Sequence, residues 1–195
     1  MLFRSEQAGS GLFNRGMLKN VGFDLAKADA DYVCFHDIDY LPLWADYSYP
    51  EKPTRIIWHG LRVTEEYDRF FGGALLFPTE DFAAVNGYSN DYWGWGSEDV
   101  DIRLRCDFSG LGRAYRDGTF SALPHPHSGL NADGSPTPEA AANLALFQSR
   151  RPDLASTYTG EGLNSLAYKV VERAPLRREG KNLPNVWRYL VDLGR

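Results

Sequence analysis

Asp37 and Asp39 follow a short β-prone run at residues 32–36 and are separated only by Ile38. Two acids at the carboxyl end of a strand lie where ligands bind in α/β sheets. Hard carboxylate oxygens suit a divalent cation, which can screen the charge of a diphosphate. The pattern predicts a phosphate-linked metal site, although an Asp-x-Asp sequence alone is also typical of a solvated loop.

His125 and His127 form a second group, separated by Pro126. Two histidines at this spacing can both reach one metal ion if the chain is extended, and imidazole suits Mn²⁺ or Zn²⁺. The alternative is two surface histidines in a proline-rich turn. A carboxylate together with this pair would form an open metal site with room for phosphate oxygens.

The third group is the sequence Trp-Gly-Trp-Gly-Ser-Glu-Asp at residues 93–99. Glycines on both sides of Trp95 predict a flexible loop whose ring can move over a substrate. The alternative makes both tryptophans core anchors. Glu98 and Asp99 begin a predicted helix, where the helix dipole favours negative charge. An ionised Asp99 could accept a proton from an attacking hydroxyl group, which is general-base catalysis.

The elements that position these groups alternate between strand and helix, which favours an α/β fold. Apolar spacing, caps and β-prone runs predict helices at 14–26, 97–110 and 137–148, and strands at 32–36, 55–58 and 73–77. In the second of these helices, Val100, Leu104 and Phe108 would share one apolar face. The tail from Leu166 onward is predicted as strand, basic turn and strand.

Composition limits the class of protein. The 195 residues, 43% hydrophobic and 24% charged, are typical of one folded domain over residues 1–195. A net charge of −5 without a Lys/Arg block excludes nucleic acid as an expected partner, and no apolar run approaches the roughly 20 residues of a membrane span. Cys34 and Cys106 are interpreted as free, buried thiols, and with no secretory leader they predict a cytoplasmic location.

The motifs resemble, in order and spacing over nearly the whole chain, the β-1,4-galactosyltransferase family. The resemblance is carried by Phe-Asn-Arg at 13–15, Asn-Val-Gly-Phe at 20–23, Asp-Ile-Asp at 37–39 followed by Leu-Pro-Leu at 41–43, Phe-Gly-Gly at 71–73, Asn-Gly at 86–87, the 93–99 block and Gly-Leu-Asn-Ser at 162–165. The 36–43 stretch and the histidine pair resemble the xylosylprotein 4-β-galactosyltransferase branch.

The resemblance implies a GT-A type nucleotide-diphospho-sugar transferase fold with a mixed, mostly parallel sheet. It implies Mn²⁺ held by Asp39, His125 and His127, with Asp99 as catalytic base assisted by Glu98. The substrate-binding residues it implies are Phe13, Asn14, Arg15, Asp37, Phe70, Gly72, Gly73, Trp95 and Gly96. The implied reaction is a single, inverting displacement that moves galactose from a UDP-sugar to a hydroxyl of a glycan or glycoside acceptor, with a β-1,4 linkage.

Three departures from the family leave alternatives open. The chain begins about where the second strand of the family is expected, so the N-terminal strand with its Pro-Phe-Arg motif is predicted to be missing. Phe70 stands where the family has Tyr, which makes N-acetylgalactosamine an alternative to galactose. Thr159 lies where the xylose-specific branch has a basic residue, so the acceptor is open.

The same observations favour two other functions. A missing strand would suit a catalytically impaired remnant that still binds a sugar or nucleotide. One carboxylate and two imidazoles could instead activate water in a metal-dependent hydrolase. The lack of a membrane anchor or stem is a further reason for the cytoplasmic prediction.

Overall fold

The computed structural model describes residues 2–58, 60, 70–124 and 129–194, and its strands form two sheets. The larger sheet consists of β2 (Tyr32–His36), β3 (Tyr40–Ala45), β4 (Thr54–Trp58), β5 (Ala74–Pro78) and β6 (Ala114–Ala122), in the order β2-β5-β4-β6-β3. The smaller consists of β1 (Leu2–Gln7), β7 (Lys169–Arg178) and β8 (Lys181–Asp192), in the order β1-β8-β7.

Five α-helices accompany the sheets in the described residues. They are α1 (Arg15–Ala26), α2 (Thr79–Ala84), α3 (Glu98–Phe108), α4 (Pro138–Arg150) and α5 (Leu154–Gly160), with 3₁₀ turns at Lys27–Asp29, Arg151–Asp153 and Leu163–Ser165. Helix α1 begins at Arg15 because the side chain of Asn14 accepts a hydrogen bond from the Met17 amide at 2.8 Å. Thr137 caps α4 in the same way.

The sheets are mixed, as predicted, but the expectation of mostly parallel pairing is wrong. Between described strands, only β1–β8 and β4–β6 are parallel, whereas β2–β5, β4–β5, β3–β6 and β7–β8 are antiparallel. Short connections turn the chain back on itself. Between β7 and β8, Glu179 and Gly180 both have positive φ, which is the geometry of a tight hairpin turn.

Helix α3 buries a different face from the one predicted. Phe108 is half exposed, whereas Ile102 and Cys106 are fully buried. The same buried side carries the charged residues Glu98, Asp99, Asp101 and Arg105. Apolar spacing could not reveal this face, because its charged side chains are buried through ion pairs with one another and with Arg15 and Glu161.

An aromatic core fixes α1, α2 and α3 against the larger sheet. Phe35 of β2 lies 4.7 Å, ring centroid to ring centroid, from Phe82 of α2, which is also 4.7 Å from Phe23 of α1. The buried members of this cluster are Phe23, Phe35, Phe71, Leu75, Phe77, Phe82, Val85, Tyr88, Ile102 and Cys106. Cys106 is therefore buried as predicted, but Cys34 is exposed.

A buried ion network attaches α3 to the Gly-Leu-Asn-Ser segment. Arg105 is fully buried, and it donates to Asp101 and to the Glu161 carboxylate, each at 2.7 Å. Burial raises the pKa of Asp101, while Arg105 acts in the opposite direction. Since Glu161 directly precedes Gly162, this network fixes the start of the segment.

Gly162→Ala should lower the free energy of unfolding by about 3 kcal/mol or more. Gly162 has φ of 142°, and a Cβ there would lie within 3.0 Å of the Asn86 carbonyl oxygen, which is backbone and cannot rotate away. Urea denaturation checks this value. Gly160→Ala is the matched control, since a Cβ at Gly160 meets nothing within 4 Å. Equal stability of the two variants would contradict the prediction.

Candidate active site

Arg15, the first residue of α1, joins three carboxylates from two other elements. Its Nη1 donates to Asp37 Oδ2 at 3.0 Å, and its Nη2 donates to Glu98 Oε1 and Asp99 Oδ2. Asp37 follows β2, and the other two acids occupy the first turn of α3. The structure thus brings together the first and third groups of the sequence, with Arg15 between them.

The electrostatics of this cluster keep Arg15 charged. Burial acts to lower the pKa of the guanidinium, but the carboxylates of Asp99, Glu98 and Asp37 outweigh it, so the pKa is raised. Burial also raises the pKa of Tyr88 well above its usual value, and Asp99 adds to that rise. Tyr88 is therefore neutral beside the cluster.

Lys19 also belongs to the cluster, and the sequence interpretation missed it. Its Nζ lies 3.8 Å from Asp37 Oδ1 and 3.8 Å from Asp99 Oδ1. Residues four apart share one face of a helix, so the spacing of Lys19 from Arg15 could have indicated this role. That inference needed Arg15 to be known as the centre of the site.

Gly72 lies directly against the carboxylate of Asp99. A Cβ at Gly72 would come within 3.0 Å of three atoms of that carboxylate, so glycine is needed for this approach. The next residue, Gly73, has φ of +85° and packs on the ring of Tyr40. Both glycines therefore shape the site, and Gly72 does so by making room for Asp99.

Arg55 holds the loop that carries these glycines, and it too was missed. Its side chain is buried in β4, where Nε donates to the Gly72 carbonyl at 3.0 Å and Nη1 donates to the Phe70 carbonyl. The guanidinium also lies over the Phe70 ring, 4.3 Å from its centroid. The available signal in the sequence was an arginine in the predicted strand 55–58, whose other residues are apolar.

The two tryptophans of the 93–99 block differ in role: one is a core anchor and the other lies at the surface. Trp93 is 9% exposed and packs in the core, whereas Trp95 is 50% exposed. Asn143 of α4 donates to the carbonyl oxygens of both tryptophans at 3.1 and 3.0 Å. Gly96 has φ of +98°, with open space where a Cβ would stand. Trp95 is therefore the ring available to a ligand.

The residues of the Phe-Asn-Arg motif at 13–15 also differ in exposure. Phe13 is 52% exposed and can meet a ligand, but Asn14 is fully buried. Asn14 caps α1 and donates to the Asn90 carbonyl at 2.7 Å. Asn14 offers no surface here and lies between Phe13 and Arg15, which it orients, so its contact with substrate stays a prediction.

Asp39 lies in the turn between β2 and β3, half-buried, at the end of β6. Its carbonyl accepts a hydrogen bond from the Leu123 amide at 2.8 Å. His125 and His127 lie outside the described residues. In the part of the chain that the structure describes, no three His, Cys, Asp or Glu residues form a group that could hold a metal ion.

The described residues on either side of 125–128 both lie at the site. The Leu123 amide is hydrogen-bonded to the Asp39 carbonyl. Gly129 packs so closely on the Trp95 ring that a Cβ at Gly129 would lie within 3.0 Å of that ring.

This combination of fold and site defines a class of protein. A family model described as the N-terminal region of glycosyl transferase group 7 matches residues 1–50, and one described as the N-terminal domain of galactosyltransferase matches residues 54–126. The chain has the α/β, GT-A type fold of these glycosyltransferases.

The chain belongs to the β-1,4-galactosyltransferase family. It is 32% identical to β-1,4-galactosyltransferase 1 of Homo sapiens over 179 residues, which is 87% of this chain and 43% of the relative. It is 40% identical to β-1,4-galactosyltransferase 7 of Drosophila melanogaster over 124 residues, 60% of this chain and 38% of the relative. The chain spans about two fifths of the length of these relatives.

A solved structure supports the same fold. It is a variant of the Drosophila β-1,4-galactosyltransferase 7 in complex with manganese, UDP-Gal and xylobiose. The likeness has a TM-score of 0.76 and 29% sequence identity, and it covers 100% of this chain and 80% of that one.

The prediction of a cytoplasmic location is wrong. The relatives are β-1,4-galactosyltransferases, which are Golgi-lumenal enzymes. Free cysteines were a poor guide, because a protein of an oxidising compartment need not contain a disulfide. Among the described helices, none is long and apolar enough to cross a membrane.

Proposed function

We propose that this chain is an inverting galactosyltransferase that moves galactose from UDP-galactose to a sugar hydroxyl with the help of Mn²⁺. The observation that carries the proposal is the Arg15 cluster. It joins the acid after β2, on the expected nucleotide side, to Glu98 and Asp99 at the start of α3. The complex of the structural neighbour with manganese, UDP-Gal and xylobiose supports each component.

The donor set fits Mn²⁺. Asp39 supplies a carboxylate, and the resemblance to the family adds the imidazoles of His125 and His127, which follow Leu123 in the sequence. The Leu123 amide donates to the Asp39 carbonyl. Carboxylate and imidazole together suit a divalent transition metal. These three residues would hold the ion, which, when bound, neutralises charge on the leaving diphosphate.

The protein side chains perform the proton transfer and the orientation. The acceptor oxygen attacks the anomeric carbon, the bond from that carbon to the UDP oxygen breaks, and UDP leaves with the electron pair. Asp99 takes the proton of the acceptor hydroxyl. Arg15 and Gly72 fix the carboxylate of Asp99 from two sides, and Glu98, bound by the same Arg15 nitrogen, completes the acceptor side. A single displacement inverts the anomeric configuration.

The finer specificity concerns two points, the choice of donor at Phe70 and the identity of the acceptor. Phe70 offers a ring without a hydroxyl group at the donor-selecting position, so N-acetylgalactosamine is the second donor to test. Trp95 and Phe13, both half exposed, are apolar rings that can stack on sugar and base. A β-1,4 linkage to a xylose-type acceptor follows the resemblance to the xylosyl branch. We further propose that residues 1–195 form a single glycosyltransferase domain.

Removal of divalent metal should abolish transfer. Incubation with UDP-galactose, Mn²⁺ and xylobiose should release UDP and form a galactosylated product, as measured by a coupled UDP assay and mass spectrometry. Addition of EDTA should reduce the rate by at least about 10²-fold because the leaving diphosphate loses its counter-ion. Excess Mn²⁺ should restore it, and a rate insensitive to EDTA would contradict the proposal.

The same assay separates the alternatives. A hydrolase would release free sugar without any acceptor. A catalytically impaired remnant would bind UDP in calorimetry and give no product with any donor or acceptor. An active transferase gives acceptor-dependent product in which the new bond is β-configured, as shown by the anomeric coupling in NMR spectra.

A further inference from the structure

Lys19 occupies the buried side of the Arg15 cluster. It lies one helical turn after Arg15 on α1, so the two side chains project from the same face. The Lys19 side chain is 10% exposed, compared with 32% for Arg15. Arg15 therefore approaches the carboxylates from the solvent side, and Lys19 approaches them from the interior.

The two cations divide the carboxylate oxygens between them. Arg15 binds the Oδ2 atoms of Asp37 and Asp99, and Lys19 faces the Oδ1 atoms of the same two residues, at 3.8 Å from each. This distance is about 1 Å longer than a charge-assisted hydrogen bond. Among the described residues, Lys19 Nζ and Asp99 Oδ1 are both buried without a hydrogen-bond partner. The ammonium also lies over the Tyr88 ring, 4.9 Å from its centroid.

Stability of the fold alone does not explain a lysine that is buried without hydrogen bonds. Burying an ammonium without hydrogen bonds costs free energy, and an apolar side chain of similar length would fill the same space. Its charge, however, meets a need of the site. Asp37, Glu98 and Asp99 carry three negative charges against the one positive charge of Arg15, and Lys19 reduces the excess from two to one.

We propose that Lys19 is a positioning residue for the transfer reaction, which holds Asp37 and Asp99 in a fixed relation from the buried side. Without it, mutual repulsion turns the Asp99 carboxylate away from the orientation that Arg15 and Gly72 define. Lys19 touches no substrate and acts through Asp99. This inference rests on the proposed galactosyltransferase function, because it assigns Asp99 the role of base.

The test compares Lys19→Met, which keeps the stem and removes the charge, with Lys19→Arg, which keeps the charge. Lys27→Met is the matched control, since Lys27 is an exposed lysine just after α1 that pairs with Asp24 at the surface. Steady-state kinetics with UDP-galactose and xylobiose give kcat and KM for both substrates, and thermal melts report folding. Crystal structures of the parent protein and Lys19→Met give the orientation of Asp99.

Lys19→Met should lower kcat at least about 10-fold with KM for UDP-galactose changed less than twofold, while Lys19→Arg recovers most of the loss. Equal loss in both variants with a lowered melting temperature would show a packing role and overturn the proposal. So would an unchanged kcat, or a rise in the donor KM alone. If the parent protein shows no turnover, the proposed function fails by itself, and the crystals decide the role of Lys19: an Asp99 carboxylate that does not rotate overturns it.

Discussion

Asp99→Asn should lower kcat for galactose transfer by about 10²–10⁴-fold while UDP binding and folding are retained. The amide has nearly the same shape as the carboxylate, so it still fits against Gly72, but it cannot accept the proton of the acceptor hydroxyl. Steady-state kinetics measure the loss, and calorimetry with UDP and Mn²⁺ checks that the donor site remains. Asp99 is 5% exposed, so a larger change such as Asp99→Lys would disturb folding instead.

Asp107→Asn is the control for this experiment. Asp107 lies on the same helix, but it is exposed and pairs with Arg103 and Arg113 at the surface. It should leave kcat within twofold of the parent. Since Arg15 Nη2 binds both Glu98 and Asp99, full activity in Asp99→Asn combined with its loss in Glu98→Gln would transfer the base role to Glu98.

Gly72→Ala should lower kcat by about 10²-fold, since a displacement of about 1 Å at a catalytic group has effects of this size. The added methyl group would lie within 3.0 Å of the Asp99 carboxylate, so either that carboxylate rotates or the loop held by Arg55 moves. We also expect a loss of about 1–3 kcal/mol in the free energy of unfolding from overpacking. Kinetics and urea denaturation measure the two effects separately.

A double-mutant cycle identifies the cause of this loss. If the collision is with the Asp99 carboxylate, then Gly72→Ala should cost much less stability when Asp99 is already Ala. Gly11→Ala is the matched control, because a Cβ at Gly11 meets nothing within 4 Å. Additive stability losses at Gly72 and Asp99 would show that the collision is elsewhere.

Helices, strands and turns that depend on neighbouring residues in the sequence were predictable. Helix α1 begins after Asn14 because an asparagine side chain caps a helix at that position, and β2 occupies residues 32–36 as predicted. Positive φ at Gly73 and Gly96 agrees with the glycines of the motifs. The resemblance to the family also named Arg15, Asp37, Glu98 and Asp99, whose side chains form one cluster in the structure.

What joins those residues could not be predicted, because it depends on tertiary contacts. The position of Arg15 between three carboxylates requires the first turn of α1 to meet the first turn of α3, and no spacing within either helix indicates that approach. The buried face of α3 was assigned from apolar residues, whereas Arg105 and Asp101 are buried through their pairing with each other and with Glu161. Lys19 and Arg55 were missed for the same reason.

Crystals grown with Mn²⁺ and UDP-galactose, measured at the manganese absorption edge, give the most direct test. They show whether one ion binds Asp39 and both histidines and lies across the donor from Asp99. We predict an anomalous peak beside the Asp39 carboxylate, from a manganese ion that His125 and His127 also ligate. The sugar of the donor should lie between that ion and Asp99. A peak remote from Asp39, or a donor sugar that Asp99 does not face, would contradict the galactosyltransferase site proposed for this chain.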